Sequence, residues 1–264
     1  MNPIWLMIIA VLSMILIMSA LWFVQARTGN SGIVDVAWTY GVGGLAILFA
    51  SLSDGDPIRR WVVAALAGLW SLRLGTYILR RVMSEAEDGR YTRLKRDWGD
   101  AAQAKMFWFY QFQALGCVLF AVPMLIAAQV SQPPDFWVYV GIAIWVLAIG
   151  GETLADGQLA RFKQDPANRG NVCQVGLWKY SRHPNYFFEW LHWWSYVALA
   201  ITAPWGWLSL FAPLVMLYLI TRVTGIPPTE QRAIESRGDA YRIYQRTTSP
   251  FIPWPPKTER AADA

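Results

Sequence analysis

The run Gly176–Trp194, GLWKYSRHPNYFFEWLHWW, sets Arg182, His183, Asn185, Glu189 and His192 at the mouth of an apolar, tryptophan-rich helix. Pro184 suits the first turn of that helix, where its missing N–H would have had no intrahelical partner anyway. Asn185 and Glu189 lie four apart and Glu189 and His192 three apart, so all three share one helical face. In a bilayer such ionisable groups are costly unless they line a cavity in the protein, which marks them as a site.

Outward from this run, the apolar residues gather into blocks close to the roughly 20 residues needed to cross a bilayer. They are Pro3–Gln25, Ile33–Leu52, Trp61–Leu79, Tyr110–Gln129, Phe136–Thr153, Phe187–Thr202 and Trp205–Thr221. The sixth is short and polar at its start. With 55% hydrophobic residues, 16 tryptophans and only 16% charged residues among 264, the chain reads as all-α and polytopic, with about seven transmembrane helices. Met1–Gln25 lacks a basic start and a small-residue cleavage site, so it reads as a retained span rather than a leader. No repeat or linker interrupts the sequence, which predicts one transmembrane domain over 1–264.

Basic residues set the orientation. Arg80, Arg81, Arg90, Arg93, Lys95, Arg96 and Lys105 follow the third span, and Arg161, Lys163, Arg169, Lys179 and Arg182 follow the fifth. The positive-inside rule then predicts an outside amino terminus and a cytoplasmic carboxy terminus. Arg59 and Arg60 are the contrary pair. The net charge of +5 follows from this topology, and no basic run on a soluble module suggests nucleic-acid binding. Cys117 and Cys173 form no CxxC and imply neither zinc nor a disulfide framework. No protein partner is indicated.

Two polar segments stand out. Met83–Lys105 holds a predicted short amphipathic helix, Tyr91–Trp98, which either rests on head groups or serves a site. After Gly225-Ile-Pro-Pro228 a second helix is predicted to open with Thr229 as its N-cap. Asp156, Lys163, Arg169, Arg182, His183, Asn185, Glu230, Arg232 and Arg246 flank the last three spans. Cations of this kind bind phosphates, and a helix amino end adds free N–H groups. Carboxylates such as Asp156 and Glu230 can accept from ribose hydroxyls or an amide. A nucleotide bound at the membrane surface would need this set, although no GxGxxG or Walker loop is present.

The run GLWKYSRHPNYFFEWLHWW, with SPFIPWPP near the end and VDVAWTYG at the second span, resembles the bacterial membrane family called domain of unknown function 1295, which implies a bacterial inner membrane. That family is similar to the steroid 5-alpha-reductases. The resemblance implies seven membrane helices, NADPH at the cytoplasmic side in the half formed by about 136–254, and a lipid substrate that enters from the bilayer. By motif, Asn185 and Glu189 match cofactor-contacting positions, while Asp156 and Lys163 match an acidic and a basic position seven apart. Tyr244 fits a recurrent tyrosine near the terminal Phe-Ile-Pro.

The implied reaction is NADPH-dependent reduction of an activated C=C bond in a membrane-soluble enone, such as a steroid, sterol or polyprenoid-like lipid. Glu189, Arg73, Tyr77 and Asp35 are the candidate catalytic residues. Arg73 or Tyr77 could polarise a carbonyl, and Asp35 only if burial keeps it protonated. Leu74 falls where the reductases carry a substrate-binding tyrosine, and an Arg73–Asp35 pair could equally be structural. Two other readings stay open. One is an S-adenosylmethionine-dependent membrane methyltransferase, which carries a similar RHPxY element. The other is a non-catalytic lipid-binding protein.

Overall fold

The computed structural model describes residues 1–257, and all their regular structure is helical apart from one isolated bridge, Ser181 to Ser249. The helices are α1 (Pro3–Thr28), α2 (Ile33–Leu52), α3 (Pro57–Ser84), α4 (Gly89–Trp98), α5 (Ala102–Ala128) and α6 (Phe136–Gln164). Then come α7 (Pro184–Ala200), α8 (Phe211–Tyr218), α9 (Ile226–Arg237) and α10 (Asp239–Thr247). Two compact units divide the chain: Met1–Tyr139 with Tyr196–Ser209, and Val140–Ser195 with Leu210 onward.

Among the described residues, six helical segments are long and apolar enough to cross a membrane. The protein is an integral membrane protein. Ile4, Leu12, Leu16, Leu69 and Leu72 are all exposed, an arrangement that lipid tolerates and water does not. Trp5, Trp61, Phe136, Trp205 and Trp207 are more than half exposed near span ends, where aromatic rings sit at head-group level. The expected span Phe187–Thr202 is the outlier. It becomes α7, a helix of 17 residues, which at 1.5 Å per residue falls short of a ~30 Å hydrocarbon core.

In the first unit, α2 packs on α3 and α5, and α1 packs on α5. Small residues let α2 and α3 approach closely. A Cβ at Gly43 would lie 2.3 Å from the Ser71 Cβ, and one at Gly75 would enter the Tyr40 ring. Across this seam Ser71 Oγ donates to the Thr39 carbonyl at 2.9 Å, and the hydroxyls of Tyr40 and Thr76 are 3.0 Å apart. Tight backbone approach replaces hydrophobic drive as the source of helix association in lipid.

Arg59 and Arg60, the pair at odds with the charge rule, are held by backbone. Arg59 is 1% exposed and donates to the Gln132 and Pro133 carbonyls while pairing with Asp135 at 2.9 Å. Arg60 donates to the Ala50 and Ser51 carbonyls at the end of α2. Both guanidiniums lock turns.

The second unit is built on two clusters. Ile220, Ile226 and Phe251 form one core with Phe187 and Trp190 against it, and Ala233, Tyr241 and Tyr244 form the other. α9 departs from the predicted start. It opens at Ile226, so Pro227 and Pro228 lie inside its first turn rather than before it, where proline loses no hydrogen bond. Thr229 therefore does not cap the helix; its hydroxyl lies 3.2 Å from that of Tyr186.

Candidate functional site

In the second unit the entry to α7 is fastened to α6 by three contacts at successive levels. Trp178 Nε1 donates to the Ala155 carbonyl at 2.9 Å, and Gln158 Oε1 accepts from the Leu177 N–H at 2.9 Å. Gly176, at φ +57°, packs directly against the Gln158 amide, where a Cβ would clash at 2.2 Å. The third contact is between side chains: Asn185 Nδ2 donates to Asp156 Oδ1 at 3.1 Å. Asn185 Oδ1 accepts from the Tyr186 N–H at 3.0 Å, which fixes the amide's orientation.

These contacts set the register of two antiparallel helices. Phe188 lies over Gly151, where a Cβ would fall 2.3 Å from the ring. With Asp156 opposite Asn185 and Gly151 opposite Phe188, Glu152 and Glu189 stand at the same level, one turn deeper than the Asp156–Asn185 pair. Glu152 is 5% exposed. Sequence reading passed over it because a single acid near a span end looks like a boundary marker; the register with α7 is what gives it a place.

Arg182, His183 and Glu230 form a second, buried cluster. Arg182 Nε donates to Glu230 Oε1 at 2.6 Å, and Nη1 donates to the Gln245 and Thr248 carbonyls at 2.8 and 2.5 Å. His183 Nε2 lies 3.1 Å from the same carboxylate oxygen, and Gln245 Nε2 donates to Glu230 Oε2 at 2.7 Å. Burial opposes the charge on Glu230, but hydrogen bonds from His183 and Arg182 and the guanidinium charge outweigh it, holding the pKa at about 2. Burial pushes the His183 pKa down more than Glu230 raises it, so the imidazole is neutral and donates from Nε2. Its ring stacks on Tyr186, with centroids 5.3 Å apart.

The same turn anchors the chain beyond α10. Ser181 Oγ donates to the Phe251 carbonyl at 2.8 Å, the Arg182 N–H to the Ser249 carbonyl at 2.8 Å, and the Trp254 N–H to the Tyr180 carbonyl at 2.9 Å. Tyr244 donates its hydroxyl to the Trp178 and Ser181 carbonyls. The segment SPFIPW is thus strapped along residues 180–182, with Phe251 in the apolar cluster.

Lys163, Arg169 and Arg246 are exposed. Lys163 lies seven residues after Asp156, on the same side of α6. In the first unit, Asp35 accepts from Arg90 Nη2 at 3.1 Å and from the Tyr91 hydroxyl at 2.8 Å. α4 is therefore tied to the start of α2. Beside it, Glu87 accepts from the Ser31 N–H at 2.6 Å and from Lys95 Nζ at 2.7 Å. Burial opposes the charge on Glu87, yet these donors keep its pKa below the usual carboxylate range. Arg73 is half-buried on α3, and Tyr77, one turn on, is 57% exposed.

A family model matches residues 21–248 of the sequence. The chain belongs to the family described as protein of unknown function (DUF1295). It is also 28% identical over 265 residues to an uncharacterised protein of Schizosaccharomyces pombe, covering 89% of this chain and 76% of that one. No solved structure matches. The matched stretch takes in both the Asp156–Asn185 pair and the Arg182–Glu230 cluster.

Proposed function

We propose that the protein binds NADPH at the cation-rich end of α6 and α7 and reduces an activated C=C bond in a membrane-soluble lipid. The observation that carries this reading is the hydrogen bond between Asn185 and Asp156. It joins an amide and a carboxylate, groups whose chemistry suits a carboxamide or ribose hydroxyls. Exposed Lys163, Arg169 and Arg246 supply cations suited to phosphates. When bound, a reduced nicotinamide supplies the hydride.

Under this reading the chain's own residues divide the work. Asp156 and Asn185 orient the cofactor, and Lys163 meets a phosphate. Glu189 lies one turn deeper, towards the apolar interior where a lipid enone would arrive. Arg182, His183 and Glu230 hold the mouth of α7 in shape instead of contacting the cofactor, because their polar atoms are engaged with the strap and one another. The amino terminus faces outside and the cofactor end faces the cytoplasm, in keeping with the basic loops.

Thermal shift of the detergent-purified protein with NADPH, NADH or S-adenosylmethionine tests the reading without knowledge of the substrate. A ligand that binds only the folded state raises its apparent stability. NADPH is expected to raise the melting temperature and S-adenosylmethionine to leave it unchanged. The reverse would move the protein to methyl transfer.

A further inference from the structure

α6 shows three different sides. Gly151, Ala155 and Gln158 face Phe188, Trp178 and Gly176. Asp156 bonds Asn185 on a second side. The third side carries an open groove of about 670 Å³ lined by Gly150, Thr153, Leu154, Gly157, Ala160 and Arg161. Thr153 and Ala160 lie three and four residues from Asp156, so the groove runs beside the proposed cofactor side, with Gly157, about 100° around the helix from Asp156, near its middle.

The groove is a shallow apolar face of one helix with a charged end. Gly150 and Gly157 are open: a Cβ at either would meet nothing within 4 Å. Thr153 spends its hydroxyl on the Ile149 carbonyl at 2.7 Å and offers the groove little polarity. Leu154 is 48% exposed along it. Arg161 closes the charged end, exposed, and no acid lines the groove.

Length fits one lipid leaflet. From Ile149 to Arg161 the helix rises roughly 18 Å at 1.5 Å per residue. Ile149 lies near the middle of α6 (Phe136–Gln164), and half of a ~30 Å hydrocarbon core is about 15 Å, which puts Arg161 at head-group depth. We propose that this groove is a binding site for an anionic glycerophospholipid, with an acyl chain along Gly150–Gly157 and its phosphate on the Arg161 guanidinium. A guanidinium matches a phosphate in charge and can bond it bidentately. A second copy of the chain is a poorer occupant. Two copies share one orientation in the membrane, so a two-fold axis along its normal would bring two Arg161 side chains to the same depth.

The test uses the full-length protein in nanodiscs and native mass spectrometry, with palmitoyl-oleoyl phosphatidylglycerol and phosphatidylcholine as probes. Wild type is expected to retain phosphatidylglycerol over phosphatidylcholine by about fivefold, the value of one basic residue at a lipid surface. Arg161→Gln should abolish that preference while both lipids still bind. Gly157→Leu, which fills the groove without an internal clash, should reduce retention of both. Equal retention of the two lipids by wild type, or full retention by Gly157→Leu, would overturn the proposal. So would a dimer that Gly157→Leu dissociates, since the groove would then hold a second copy. Melting temperatures of the variants, measured in parallel, separate lost lipid binding from lost folding.

Discussion

Arg182 and Glu230, 48 residues apart in sequence, meet at 2.6 Å, and the same guanidinium binds the Gln245 and Thr248 carbonyls. The pair ties the turn before α7 to α9 and to the end of α10. Both side chains are largely buried, at 8% and 13% exposure, so neither charge can be removed without stranding the other.

Glu230→Gln should therefore destabilise the protein by roughly 3–5 kcal/mol, the usual cost of breaking a buried pair. Its folded pKa of about 2 lies below the unfolded value of about 4.3. The contribution is thus complete above the unfolded value and lost as pH falls through about 2. Thermal melts from pH 7 to pH 3 should fall more steeply for wild type than for Glu230→Gln. Parallel curves would show that the pair carries no such linkage.

Phe251 fills the cluster of Ile220 and Ile226, and the backbone beside it is held by Ser181 and Arg182. Phe251→Ala should cost about 3 kcal/mol through the cavity it leaves. Limited proteolysis should then cut the strap first. A variant as resistant as wild type would mean that the strap is held by its hydrogen bonds alone.

Two adjacent glycines of α2 separate close packing from helix propensity. Gly43→Val puts a Cβ 2.3 Å from Ser71 Cβ, whereas a Cβ at Gly44 meets nothing within 4 Å. The first should lower stability by about 1–3 kcal/mol. Gly44→Ala should be neutral or raise it by ~0.5–1 kcal/mol. Chemical denaturation in detergent distinguishes them, and equal effects would remove the α2–α3 seam as a source of stability.

Lys163→Ala should weaken NADPH about tenfold, the value of a charge-assisted hydrogen bond, and weaken NADH much less. Calorimetry with both cofactors reads the difference. Equal losses would shift Lys163 away from the 2′-phosphate.

Much of this was legible in the sequence because the bilayer imposes simple rules on composition. Apolar block length located α1, α2, α3, α5 and α6, and α4 spans Gly89–Trp98 where Tyr91–Trp98 was expected. The block at α7 was read as a span, yet the helix there has 17 residues, because it begins at Pro184 and ends before the Ala203–Gly206 turn. Pairings were the harder part. Nothing local in VDVAWTYG says that Asp35 meets Arg90, 55 residues on. Arg182 and His183 looked ready for a phosphate because the partners that occupy them, Glu230 and the Thr248 carbonyl, come from a distant helix and loop. Arg59 read as an exception to the charge rule until Asp135 and two carbonyls accounted for it.

The most direct test of the central claim is NADPH titration, by calorimetry, of wild type and Asn185→Ala, each first confirmed folded by its melting curve. Wild type should bind NADPH at one site. Asn185→Ala should weaken it at least tenfold, since it removes the amide and its hydrogen bond to Asp156. Equal binding by both proteins, or none by wild type, would contradict the placement of the cofactor at the mouth of α7.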